Sequence, residues 1–159
     1  MKTFTDSAGR TWTIAMTVDS AKRVRDLLKI NLVEPESGNP PLLTRLGTDE
    51  ILLCDVIYVL VKPQADKLNI SDTDFAAAMG GDAILSAQTA FYEEMIDFFQ
   101  KRGRTDRARA VATQHKMIKL AIERLEMQIA SIDPQKEIDK IPGLSSTSLE
   151  ELSELTQGH

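Results

Sequence analysis

The chain has one cysteine in 159 residues, Cys54, so no intrachain disulfide can form. It has two histidines, His115 and His159, and neither stands at metal-ligand spacing from the other or from the cysteine. The common zinc and di-iron frameworks are therefore excluded. Aromatic residues amount to only 5%. A core must come from Leu, Ile, Val, Ala and Met, which suits helix packing better than a β-sandwich. The longest apolar run, "ILLCDVIYVLV", contains Asp55 and falls well short of the roughly 18 residues that span a bilayer. The opening "MKTFTDSAGR" has no apolar stretch, so no secretory signal is expected. Nor is there an excess of positive charge: the net charge is −5, which argues against nucleic acid as the main partner. The expected setting is the cytoplasm, with no membrane partner and Cys54 as a buried thiol.

What is present is ordinary globular material. The chain is 42% hydrophobic and 27% charged, long enough to bury a core without staples. Trp12, Ile14 and Met16 alternate with Thr11, Thr13 and Ala15, the period of a strand with one buried face. Phe4 lies on a shorter strand before it. Asp6 suits the start of a type I turn, and Gly9 suits the left-handed position after it. Residues 2–16 are thus expected to form a β-hairpin. A lone two-stranded hairpin is marginal in water, so this one must lie on helices or pair with another chain.

The remainder reads as helix. In "VDSAKRVRDLLKI", capped by Thr17 or Asp19, Val18, Ala21, Val24, Leu27 and Leu28 form one stripe. "NLVEPESGNPP" breaks it, and "PLLTRLG" makes a short helical turn. Asp49 or Thr48 caps an apolar helix over residues 51–61, with a buried strand as the other reading, and Pro63 either ends it or starts a new turn. Asp55 inside it is expected to pair with an arginine of the first helix. Ser71 caps "SDTDFAAAM", Gly80 and Gly81 stop it, and "DAILSAQTAFYEEMIDFFQ" follows.

The last helix, from Thr105, carries Val111, His115, Ile118, Ile122, Leu125, Ile129 and Ile132 at alternating spacings of four and three. This is a heptad seam. Either it is a core helix between two others, or its distal half packs on another subunit or partner. Pro134 and Pro142 end the regular pattern. The expected organisation is one hairpin-plus-helical domain over 1–133 and a flexible, acidic, Ser/Thr-rich tail over 134–159, with a short amphipathic helix at Leu149, Leu152 and Leu155. The fold class is mainly α (α+β): an N-terminal hairpin on a bundle of about five helices, a long C-terminal helix and a mobile tail.

Candidate chemistry is thin. Glu93, Glu94 and Asp97 could bind a cation or serve acid–base work, but they flank an apolar stripe as a solvated face does. Lys101, Arg102, Arg104, Arg107 and Arg109 form one basic cluster, partly explained by a helix C-terminus. No cofactor or metal is expected. The candidate partner or self-association surface comprises Trp12, Thr13 and Ile14 of the hairpin, whose edge could dock another chain. On the seam it comprises His115, Ile118, Ile122, Leu125 and Ile129.

The order of these parts resembles the tail assembly chaperones of long-tailed bacteriophages and prophages. The likeness covers about residues 3–100. A hairpin, "FTDSAGRTWTIAM", leads into a helix closing with "LLKINLVE". There Lys29-Ile30-Asn31-Leu32 stands where that family has a Gly-x-Asn-Leu turn. "SDTDFAAAMGGDAILSAQTAFYEEMIDFF" is similar to the family's acidic helix start and paired phenylalanines. The resemblance implies a non-enzymatic protein that coats the tape measure protein before the tail tube assembles. It implies contacts with other tail proteins and with copies of itself, in the host cytoplasm. Some members also carry a frameshifted C-terminal extension. The other classes compatible with the sequence are a virion adaptor or tail completion protein, a helical interaction module and, last, an enzyme using Asp55 or the Glu93, Glu94, Asp97 carboxylates.

Overall fold

The computed structural model describes residues 1–132 and 134. Among these residues it contains two strands and six helices: β1 (Lys2–Thr5), β2 (Thr11–Ile14), α1 (Val18–Leu28), α2 (Leu42–Thr48), α3 (Glu50–Lys67), α4 (Asp72–Ala77), α5 (Ala83–Lys101) and α6 (Thr105–Ala130). The fold is mainly helical with an N-terminal hairpin, as the residue patterns predict. The tail beyond Pro134, with its expected short helix, lies outside the described residues. Met1–Ile118 make one compact unit and the chain from Lys119 a second, the boundary falling inside α6.

The strands pair antiparallel, Phe4 opposite Trp12 and Thr3 opposite Thr13. Phe4, Trp12 and Ile14 enter the core, while Lys2 stays partly exposed and the threonines face out. The turn is built around the Asp6 carboxylate. It accepts from the backbone N–H of Ala8 and Arg10, from the Arg10 Nε at 2.8 Å and from the Trp12 indole at 2.9 Å. Gly9 takes the left-handed conformation the turn requires, at φ +82. Ser7 ties the turn to the end of α4, its N–H and hydroxyl both donating to the Ala78 carbonyl. Beneath the hairpin Phe75 of α4 meets Trp12 edge-on at 5.2 Å and Phe4 at 6.5 Å.

The caps follow local chemistry. Thr17 and Ser20 form a reciprocal capping box on α1. Asp49 caps α3 through the Leu52 N–H, and Ser71 caps α4 through the Asp74 N–H. Lys29 closes α1 in the left-handed conformation, at φ 59.

Four expectations are corrected. The hairpin ends at Ile14, not at Met16. The buried stripe of α1 is Ser20, Ala21 and Val24, while Val18 and Leu27 are exposed. Pro63 does not end α3, which continues to Lys67. Asp55 pairs with no arginine among the described residues. Arg23 instead donates to the carbonyls of Val59 at 2.9 Å and Leu60 at 3.3 Å, and meets Asp19.

Within the first unit, α6 docks through buried Ala108, Val111 and His115, with Ile118 packed partly against the core. At Gly47 of α2 the helices come close: a Cβ there would meet the flexible end of the Gln114 side chain and stand 3.3 Å from Ile118 Cδ1. His115 stacks on Tyr92 of α5 at 5.1 Å.

Candidate interaction surface

The hairpin residues proposed from sequence as a surface divide. Trp12 and Ile14 are fully buried, so they belong to the core and cannot meet a partner. Their alternation identifies a buried face but says nothing of what covers it; here α3, α4 and α5 do. Thr13 does face solvent, yet the edge it sits on is closed. Gln64 of α3 accepts from the Thr13 N–H at 3.1 Å and donates to the Thr11 carbonyl at 2.8 Å. One side-chain amide thus occupies the place of the next strand on β2, which removes this edge as a docking site.

The seam residues also divide. His115 is buried and Ile118 partly so. Ile122 is of intermediate exposure, whereas Leu125 is 57% and Ile129 68% exposed. The sequence pattern missed a second apolar stripe on the same helix. Met117, Leu120 and Met127 are exposed as well. At 100° per residue Leu120 and Met127 fall roughly opposite Ile122 and Leu125, with Met117 between the two sides. Single exposed apolar residues are ordinary; here several are exposed together along one helix.

A second feature lies in the body. Ile51, Cys54, Met79 and Ile84 line an open pocket of about 210 Å3, with Glu50 and Asp55 on its rim. Ile51 is 77% exposed there. Burial, then the carboxylates of Asp55 and Asp72, push the Cys54 thiol up to about 11, which favours the protonated thiol. Burial and the neighbouring Asp72 and Asp49 raise the Asp55 carboxyl too. The chemistry offered is apolar contact within a negative rim.

Most of the other charged candidates are engaged in structure. Glu94 is buried, not solvated, and accepts the Met16 N–H at 2.9 Å with the Met1 amino group at 3.0 Å. Asp97 pairs with Lys2. In the basic cluster, Arg107 grips Glu36 with two nitrogens, Arg104 pairs with Asp106, and Arg102 lies over the Phe98 ring at 4.4 Å. Among the described residues no group of three or more His, Cys, Asp or Glu is placed to hold a metal ion. No described helix is long and apolar enough to cross a membrane. Comparison with protein-family models, curated proteins and solved structures finds no match for this chain.

Proposed function

We propose that this protein is a non-enzymatic assembly factor of the phage or prophage tail assembly chaperone type. It would bind the tape measure protein in the bacterial cytoplasm while the tail is built. The observation that carries this reading is the exposed apolar side of α6 formed by Met117, Leu120 and Met127. A chaperone for a long helical protein needs such a surface, because an amphipathic helix buries its apolar face in apolar contacts. Methionines suit the task, since their flexible thioethers adapt to successive, non-identical segments of a partner. The pocket beside Ile51 offers a further apolar contact on the body, with an acidic rim that favours Lys and Arg on the partner.

The test begins with the DNA flanking the reading frame. The reading expects a neighbouring, very long, helix-patterned frame low in aromatics. Co-expression should keep that product soluble and bring it down with this chain. Metabolic genes on both sides, or a long product whose solubility and capture are indifferent to this chain, would overturn the proposal. Mass spectrometry of purified particles separates a chaperone, absent from the finished tail, from an adaptor that stays.

A further inference from the structure

The two apolar stripes of α6 have different chemistry, and the seam stripe matches a copy of itself. Ile122, Leu125 and Ile129 repeat at spacings of three and four, the register for knobs-into-holes packing between helices. Lys119 and Glu126 flank that stripe on one side, both exposed and without an ion pair among the described residues. Ala121 and Gln128, uncharged, flank it on the other.

From this pattern we infer that the seam face of α6 pairs antiparallel with the same face of a second copy of this chain, across a two-fold axis. In that register Ile122 of each copy meets Leu125 of the other, with Ile129 of each at the ends of the pairing. Lys119 of each copy then stands opposite Glu126 of the other, so symmetry produces two ion pairs from one sequence. Parallel pairing gives no such match: Glu126 would face Ala121 and Lys119 would face Gln114. The charges therefore select the antiparallel arrangement. It leaves Met117, Leu120 and Met127 on the outer side of each helix. Pairing of this kind does not depend on which partner those methionines meet.

Sedimentation velocity of the full chain over roughly 1 to 100 µM should show a reversible monomer–dimer equilibrium. Lys119→Glu and Glu126→Lys each convert both attractions into repulsions, and each should weaken the dimer about tenfold at low salt. An equimolar mixture of the two variants should associate as the wild type does, because each supplies the charge the other lacks. Leu125→Asp should abolish the dimer with the helical signal intact. A chain that stays monomeric throughout overturns the inference. So does a dimer indifferent to Leu125→Asp, which would use another surface. A dimer that Leu125→Asp dissolves but single charge reversals leave unchanged would be parallel, and that also overturns it.

Discussion

Arg23 Nη1 lies 2.9 Å from the carbonyl oxygen of Val59, the acceptor that Pro63 leaves without its helical donor. A proline four residues on has no N–H to give, and its ring crowds that turn. The guanidinium of α1 supplies the missing donor and also reaches Leu60. One side chain thus lets α3 run through a residue that ordinarily ends a helix, and fixes α1 against it.

Removing that donor exposes the dependence. Arg23→Met should lower stability by about 1–3 kcal/mol, because the Val59 carbonyl is left with no protein donor. Pro63→Ala restores the helical N–H, so it should recover most of the loss in the Arg23→Met background. Urea unfolding of the two single variants and the double variant measures the coupling, which should exceed about 1 kcal/mol. Additive effects would mean that the arginine does not replace the missing bond.

The Gln64 amide gives a second test. Gln64→Ala leaves the Thr13 N–H and Thr11 carbonyl to water and should cost about 1 kcal/mol, at the low end for exposed groups. It also reopens a strand edge, so light scattering at high concentration should rise. An unchanged midpoint and no added association would show that the amide is incidental.

Lys29 occupies a left-handed position that a side chain resists. Lys29→Gly should raise stability by about 1 kcal/mol, less the bond from Lys29 Nζ to the Asp26 carbonyl. Thermal unfolding would show a midpoint higher by a few degrees. A lower midpoint would mean that this lysine contributes more through its side chain than its backbone costs.

Asp6 makes stability depend on acid. Burial raises its carboxyl, but the Trp12 indole and the Arg10 guanidinium and backbone N–H outweigh burial and hold it below the usual 3.8. A carboxyl depressed on folding adds stability above its unfolded value, and that stability is lost as pH falls through the folded one. Denaturant unfolding should therefore weaken steadily below about pH 4. Asp6→Asn should cost about 2 kcal/mol at pH 7 and show a flatter acid limb. Parallel acid limbs in the two proteins would remove Asp6 as the source.

Much of this was legible in the residues, and the failures share a cause. The hairpin, the turn chemistry of Asp6 and Gly9, and the caps at Thr17, Asp49 and Ser71 are local, so neighbouring residues suffice to read them. Pro63 was misread because its remedy, Arg23, stands forty positions away in sequence. Asp55 finds neither arginine of α1: Arg23 donates to the Val59 carbonyl and Arg25 lies beside Asp26. Trp12 and Ile14 passed for a surface because alternation names a face without naming its cover. The exposed Met117, Leu120 and Met127 lie outside the heptad seam, so the seam spacing does not reveal them.

Tyr92 closes the series with a buried hydroxyl that lacks a protein partner. Its side chain is fully buried, it stacks on His115, and its Oη makes no hydrogen bond among the described residues. Desolvating a hydroxyl without recompense costs about 1–3 kcal/mol, so Tyr92→Phe keeps the ring and should stabilise the fold by about 1 kcal/mol. Burial also pushes the phenol up to about 12 from the usual 10. A group raised on folding leaves stability intact below its unfolded value and erodes it as pH rises toward the folded one. The wild type should therefore lose stability above pH 10 faster than Tyr92→Phe, and the gap between them should widen with alkali. A variant less stable than the wild type at pH 7 would reveal a water bound to the hydroxyl, and a gap that does not grow with pH would show that Tyr92 ionises as freely folded as unfolded.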